Sequence, residues 1–443
     1  MLAAVDQIEA AFEDKKKCGA VFIDLSSAYD TVWHRGLILK LHHALQDKQM
    51  AQVITEIISN RCFRVLSDGR SSRTRNLKNG VPQGSVLAPA LFNLYTADMP
   101  PTSSSKYAYA DDLAIISTSN SFEEAEHILT KDIQTLQAYY HQWRLKLNAQ
   151  KTICSVFHLN NKEANRQLRV KLCGALLPFS PTPTYLGVKL DRSLTFRHHL
   201  QNVAGKASAR VSLLRRLCGL DWGADFTTLR SSTLALVHAP AEYCASVWGQ
   251  SCHTKRVDAQ LNSALRTITG CLRPTPTHQL PVLAGIPPHH LRREAATRQA
   301  ALKAATAELH PLHTRVQAAL PRQRLRSRKP FIRLAQTFIN ENQGASRRVW
   351  LSNKWKEQQP AGRLTDMLPL TTHPPGCDLP RKEWCRLNRL RTGVGRFKAC
   401  LHLWNLSDTD RCDCGEVQTA DHLVDHCTTH QCSRQIFICT CRI

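Results

Sequence analysis

The sequence predicts an α+β fold in which an antiparallel sheet packs with helices and is followed by a long helical stretch. Three observations carry that prediction. Residues 106–117 read as two apolar, strand-like runs joined by a tight turn at Asp111 and Asp112. Residues 20–24 form a second short β-like run that ends at Asp24, ahead of a helix-like segment. From Leu200 the period changes, and Leu200, Val203, Ala207, Val211, Leu214 and Cys218 recur at helical spacing.

Taken in order, residues 1–17 read as an amphipathic helix carrying Glu9, Glu13 and Asp14, without the apolar core of a signal peptide. The run to Asp24 follows, with Ser26, Ser27, Ala28, Tyr29 and Asp30 opening the next helix. Residues 79–95 make a loop punctuated by Gly80, Pro82 and Gly84, which opens a helix whose first backbone N–H groups are free. A backbone of that kind can approach a nucleotide closely. At residues 106–117 two neighbouring carboxylates cannot share a strand interior, because one would face the apolar side unless paired or bound to a cation. A turn lets both point into one cleft.

An ordinary Asp-rich hairpin turn is the competing reading of the pair taken alone. Asp24, in a matching context, turns the pair into a three-carboxylate set. Two divalent cations about 3.5–4 Å apart on such a set can activate an attacking hydroxyl and stabilise the leaving oxygen in phosphoryl transfer. Magnesium suits this, since it takes hard oxygen ligands and shares its remaining positions with substrate phosphates.

The order of these blocks resembles the palm of a reverse transcriptase, specifically that of non-LTR, LINE-type retrotransposons of the jockey-like group. Phe22-Ile23-Asp24 with Ala28-Tyr29-Asp30 resembles the first palm motif, Gly80 to Phe92 the Pro-Gln-Gly block, and Tyr109-Ala110-Asp111-Asp112 the catalytic turn. Leu147-Asn148 with Lys151-Thr152 is similar to the next motif, and residues 185–191 to the hairpin that grips the primer end. The resemblance implies a right-hand palm with a helical thumb. It makes Asp24, Asp111 and Asp112 the ligands of two magnesium ions, Asp24 and Asp111 most directly. It puts Tyr29 under the sugar of the incoming nucleotide, where a bulky ring excludes a 2′-hydroxyl. Gln83 and Gly84 would line the nucleotide pocket. Lys151 would protonate the pyrophosphate leaving group, the bland alternative being a solvated surface lysine.

Composition fits a nucleic-acid partner. Lys and Arg number 59 against 35 acidic residues, for a formal net charge of +24 and a sequence pI of about 9.6. Such a balance attracts phosphates with an affinity that falls as salt rises, although charge alone does not separate a polymerase from a ribosome-associated or merely basic protein. Arg322, Arg324, Arg326, Arg328 and Lys329, between Pro321 and Pro330, read as an exposed linker or a nucleic-acid contact. A hydrophobic fraction of 42% suffices for ordinary cores, and no apolar run reaches the roughly 18 residues of a membrane span. The 17 cysteines follow no compact secreted-domain pattern. With the intracellular setting that the resemblance implies, in nucleus and cytoplasm as an element ribonucleoprotein, they favour free thiols and a metal site over disulfides.

The tail holds a second constellation: Cys412, Cys414, His422 and Cys427, spaced C-x-C-x7-H-x4-C. Three Cys and one His can close a tetrahedral zinc site, with Gly415 permitting the turn behind the first pair. His426 could replace His422. Leu390 to Gly393 and Leu403-Trp404 resemble the segment carrying the zinc knuckle at the end of jockey-like reverse transcriptases. Cys432, Cys439 and Cys441 have no clear partner.

The expected organisation is a palm at 1–192, a helical thumb at 193–271, a helical and linker region at 272–385 and a knuckle segment at 386–443. Reverse transcriptases of this family carry a fingers subdomain before the first palm motif, and residues 1–23 do not supply one, so the expectation is an N-terminally truncated polymerase. It would extend a DNA primer at its target on an RNA template with deoxynucleoside triphosphates, with no membrane involvement and an oligomeric state left open. The reading from a different class is an inactive or repurposed fragment that binds RNA or DNA. A group II intron maturase or a viral RNA polymerase is disfavoured by Tyr29 and by the terminal knuckle.

Overall fold

The computed structural model describes residues 1–341, 344–358, 364 and 373–429; Cys432, Cys439 and Cys441 lie outside them. The chain divides into two compact units, Met1–Thr195 with Arg322–Arg328, and Phe196–Pro321 with Lys329–Ile443.

In the first unit, α1 (Leu2–Glu13) leads into β1 (Lys17–Ile23), the helix ending before Lys17 rather than running through it. Every residue from Cys18 to Ile23 is buried, and because side chains alternate across a strand, both faces of β1 are covered. Gly19 shows how closely: a Cβ there would lie 2.8 Å from Leu129 Cδ1. Next come α2 (Ala28–Thr31), α3 (His34–Ala44) and α4 (Lys48–Ile58). A narrow ribbon follows, in which β2 (Cys62–Phe63) pairs with β5 (Arg75–Asn76) and β3 (Leu66–Ser67) with β4 (Arg70–Ser71). The chain continues through α5 (Leu87–Thr96), β6 (Ser105–Tyr109), β7 (Asp112–Ser119), α6 (Phe122–Gln142) and β8 (Ile153–Phe157). The sheet runs β6-β7-β1-β8, antiparallel throughout. Two small hairpins close the unit: β9 (Lys171–Leu172) with β10 (Ala175–Leu176), and β11 (Thr184–Tyr185) with β12 (Val188–Lys189).

Three helices are tied together by one buried ammonium. Lys40 of α3 donates to Tyr95 O at 2.6 Å and to Tyr139 Oη at 3.0 Å, and it pairs with Asp98. Its nitrogen also lies 3.5 Å from the centroid of the Trp143 ring. A buried cation is tolerable when its donors are spent and aromatic faces surround it; burial still draws its pKa down, against the opposing pull of Asp98.

The basic run at 322–328 departs from the expected free linker. Arg324 donates to Phe12 O and, at 2.8 Å, to Glu13 O, while the Arg324 and Leu325 N–H groups bond the Glu13 carboxylate. Arg328 donates to Ser193 O and lies 5.0 Å from the Phe12 ring centroid. Packing of α1 claims these two arginines; Arg322, Arg326 and Lys329 remain exposed.

The second unit is helical. On the helix Arg197–Arg215 most of the expected apolar stripe is covered: Leu200, Ala207, Val211 and Leu214 are buried, Val203 is partly so, Cys218 lies beyond the helix end, and Lys206 and Arg215 are exposed. Helix Lys255–Thr269 ends at Gly270, whose φ of +68° suits glycine. Its last carbonyls are taken up by the helix Arg381–Thr392: Arg381 and the Trp384 indole donate to Ile268 O at 2.6 and 3.0 Å, and Asn388 to Thr269 O at 3.0 Å. Between them stand the helices His289–Thr306, Phe331–Glu341 and Arg347–Gln358.

Candidate active site

Strand register gathers the carboxylates. In the β1–β7 pair Ile23 faces Leu113, so Asp24 and Asp112 are the next residues out at the same end of the sheet. In the β6–β7 pair Tyr109 faces Asp112, leaving Ala110 and Asp111 as a two-residue turn. Ala110 has φ +54°, a conformation that two-residue hairpins require and that a side chain adopts at some strain. The Asp112 carboxyl is pushed above its ordinary pKa by burial and then by the charges of Asp111 and Asp24. Among the described residues no Lys, Arg or His lies within ion-pair distance of the three. Like charges assembled without a basic neighbour are the chemistry that suits a hard cation with oxygen ligands.

The Gly80 loop is fastened to the segment after Asp24. Gly80 N–H donates to Val32 O at 2.8 Å and Val81 N–H to Tyr29 O at 2.9 Å, while the His34 Nε2–Gly80 O contact is 2.7 Å. Gly80 sits at φ +89°, and a Cβ there would meet Asp30 O at 2.9 Å; no other residue fits. Gln83 donates to the Asp30 carboxylate at 2.8 Å. The half-buried Tyr29 ring stacks on Phe92 of α5, centroids 4.7 Å apart and planes 15° apart. Burial, then the Asp111 and Tyr109 charges, raise the Tyr29 phenol pKa. Tyr29, Gln83 and the carboxylates therefore border one region, with Gly84 exposed on the same loop.

Two further segments are stitched to it. Leu147 bridges Leu25, Asn148 N–H donates to Asp24 O at 2.9 Å, and Asp24 N–H donates to Thr152 Oγ1 at 3.2 Å. Asn148 also accepts from the Gln150 and Lys151 N–H groups at 3.2 Å each, which fixes the backbone that carries the exposed Lys151. In the β11–β12 hairpin, Leu186 and Gly187 take φ +45° and +77°, and Tyr185 Oη donates to Tyr107 O at 2.8 Å. Thr152 and Phe92 lay inside quoted motifs without a role; their contacts are long-range, so no local signal marked them.

Far along the chain, Cys412, Cys414, His422 and Cys427 bring their ligand atoms within 4.8 Å of one another. Cys412 and Cys427 Sγ are 3.7 Å apart, and Cys414 Sγ lies 3.1 Å from His422 Nε2. Gly415 takes φ +92°, and its N–H donates to Cys412 O at 2.9 Å, which closes the turn. Burial opposes ionisation of the Cys412 thiol. The Cys414 N–H, Gln418, His422 and Cys427 outweigh it and bring its pKa down to about 6. His426 is exposed and outside the set.

An antiparallel sheet whose turn and neighbouring strand end carry three carboxylates, with an aromatic ring and a glycine loop beside them, is a polymerase-type palm. Residues 2–190 match the family described as reverse transcriptase (RNA-dependent DNA polymerase), and the relatives this chain is similar to are named as polymerases of transposons and mobile elements, in keeping with the resemblance its motifs suggested. It is 35% identical over 59% of its length to the probable RNA-directed DNA polymerase from transposon BS of Drosophila melanogaster, covering 30% of that protein. It is 34% identical over 47% of its length to the RNA-directed DNA polymerase from mobile element jockey of Drosophila funebris, covering 23%. A third similarity, at 23% identity, takes in 81% of this chain and 87% of the retrovirus-related Pol polyprotein from type-1 retrotransposable element R1 2 of Nasonia vitripennis. The chain spans under a third of the length of the first two relatives.

Proposed function

We propose that the chain is the RNA-directed DNA polymerase portion of a non-LTR retrotransposon, extending a DNA primer on an RNA template with deoxynucleoside triphosphates. The observation that carries this is the convergence of Asp24, Asp111 and Asp112 beside Tyr29 and Gln83. The donor set fits magnesium, hard oxygens with no competing basic group among the described residues, and two bound ions would activate the primer 3′-hydroxyl and offset charge on the leaving pyrophosphate. Asp24 and Asp111 would hold them most directly, with Asp112 as the third ligand. Tyr29, locked by its stack on Phe92, excludes a ribose 2′-hydroxyl. Gln83 and Gly84 line the nucleotide pocket, Gln83 fixed through Asp30. Exposed Lys151 delivers a proton to the pyrophosphate. The Tyr185 hairpin holds the primer end.

Residues 193–271 serve as the thumb, with Lys206, Arg215 and Arg216 presented to the nucleic-acid backbone; 272–385 are helical spacers and 386–443 the knuckle segment. The Cys412, Cys414, His422, Cys427 set fits zinc: three soft sulfurs and one imidazole converge, and the Gln418 amide donates to Cys412 Sγ at 3.6 Å as a supporting contact. The site is structural, since all four positions are protein ligands. The protein works within an element ribonucleoprotein in nucleus and cytoplasm.

Primer extension on an RNA template with magnesium tests the reading, comparing the chain with its Asp111→Ala, Asp112→Ala double variant. Extension that disappears in the variant is the expected result. Absence of extension from soluble, folded, zinc-loaded protein overturns it for this chain and leaves a fragment that binds nucleic acid without chemistry.

A further inference from the structure

The ribbon between α4 and the Gly80 loop has no role in what precedes, and its physical state is unusual. Every residue from Cys62 to Asn76 is exposed. A two-stranded hairpin with neither face packed is marginal in water and ordinarily needs a covering partner. At its tip, Asp68 and Gly69 take φ +48° and +76°, the two positive values of a type I′ turn, so the strands are locally well formed. What they lack is a cover.

The side chains say what would cover it. Residues 61–78 hold Arg61, Arg64, Arg70, Arg73, Arg75 and Lys78 against a single acidic residue, Asp68. None of the six is in an ion pair among the described residues. Set between them are exposed apolar groups: Phe63 at 44%, Val65 at 58% and Leu66 at 71% of full exposure. A second copy of this basic chain would bring like charge to the ribbon. Another protein's apolar face would leave the guanidinium groups unpaired. A polyanion with uncovered rings of its own answers both features: phosphates for the arginines, bases for Phe63 and its neighbours.

We propose that the ribbon at residues 61–78 is a docking arm for single-stranded nucleic acid. Single strand is favoured over duplex because paired bases offer no free faces to Phe63, and the deep, narrow major groove of an A-form helix does not admit protein side chains. The ribbon is anchored at the nucleotide loop: Leu77 N–H donates to Arg61 O at 2.7 Å, and Asn79 bridges Trp33, immediately before Gly80 is clamped to Val32. A strand held on the arm is thereby tethered to the loop that lines the nucleotide pocket. Naming that strand as the unpaired template rests on the polymerase reading; binding by the arm does not.

The test is fluorescence anisotropy of a labelled 20-nucleotide RNA of mixed sequence, its DNA equivalent and a blunt RNA duplex, titrated with the full chain across a range of salt. The variants are Arg64→Gln, Arg70→Gln, Arg73→Gln, Arg75→Gln together, and Phe63→Ala alone. Every changed side chain is exposed, so an unchanged melting curve certifies the fold. With about 0.7 counterions released per phosphate contact on a single strand, the fourfold variant is expected to flatten the log–log salt slope by about 3 and to weaken single-strand binding on the order of a hundredfold. Phe63→Ala is expected to weaken single strands about tenfold and the duplex not at all. An unchanged slope and affinity in the fourfold variant overturns the arm. Equal losses on duplex and single strand overturn its selectivity. RNA and DNA responding alike identifies phosphates and bases as the ligand, and a response confined to RNA adds the 2′-hydroxyl to it. Primer extension is read in parallel: an inert chain whose fourfold variant still loses the strand sinks the polymerase reading and spares the arm, whereas an active chain whose fourfold variant binds as before sinks the arm alone.

Discussion

Asp112 is the residue at which electrostatics and function pull in opposite directions. Burial and two neighbouring carboxylates raise its pKa, so its ionisation is less favourable folded than unfolded. The sign follows: its contribution to stability is fully present below the ordinary carboxylate value and is lost as pH rises through the raised one. At neutral pH and without divalent cation, Asp112→Asn should therefore melt above the unaltered protein. Magnesium should raise the melting point of the unaltered protein by more than that of the variant, which keeps Asp24 and Asp111 but loses the third carboxylate. Melting curves from pH 4 to 8, with and without magnesium, check this; parallel curves for the two proteins would refute it. Tyr29 carries the matching prediction for specificity. Replacing the ring by Val opens space beneath the sugar while Phe92 stays in place, and ribonucleotide incorporation relative to deoxynucleotide should rise by at least about tenfold, read by single-nucleotide extension. These residues were legible because a carboxylate pair at a strand end and an aromatic at fixed spacing are local patterns. Their mutual support was not, since the Asp24–Thr152 and Tyr29–Phe92 contacts join residues far apart in sequence.

At the scale of elements, legibility followed period and punctuation. The Lys17–Ile23 strand and the Arg197–Arg215 helix were visible as apolar runs of characteristic spacing. Asp68-Gly69 is a strong hairpin signal, yet the ribbon it starts passed unread because flanking Arg and Ser residues lack the apolar alternation of a half-buried strand. Arg324 and Arg328 misled in the opposite way, a charge run being solvated by default until a helix end offers its carbonyls. Lys40 was invisible for the same reason, its cage being assembled from Tyr95, Asp98, Tyr139 and Trp143 on other elements. Lys40→Met should destabilise the first unit by about 2 kcal/mol, since it removes charge-assisted bonds that tie α3 to α5 and α6 while Asp98, half exposed, rehydrates. Urea unfolding measures it. Gly80→Ala is the contrasting case: a methyl at φ +89° against Asp30 O costs about 1–3 kcal/mol of strain and displaces the Tyr29–Asp30 segment. Extension should fall further than stability does, which a melting curve and a KM for nucleotide together resolve.

Over the whole molecule, separate cores give the two units separate vulnerabilities. The first unit's core runs from Val21 through Phe92 to Leu136 and Val170, a continuous mass that owes nothing to the tail. Among the described residues, the knuckle's core consists of Phe397, Cys412, Ala420, Leu423 and Cys427, with Leu390, Cys400 and Cys414 at its edge. So small a cluster cannot hold a fold by burial alone, and two of its five members are themselves proposed zinc ligands. Zinc binding in small Cys/His sites supplies about 10–16 kcal/mol at neutral pH, far more than burial of these side chains. Stripping zinc with a chelator should therefore abolish amide-exchange protection across residues 397–427 and leave the palm strands Lys17–Ile23 and Asp112–Ser119 protected as before. Cys412→Ser should reproduce the pattern without chelator and lower bound zinc from one equivalent per chain towards none. Protection retained at the knuckle after zinc removal would mean that packing alone holds it, and that its Cys and His residues converge for another reason.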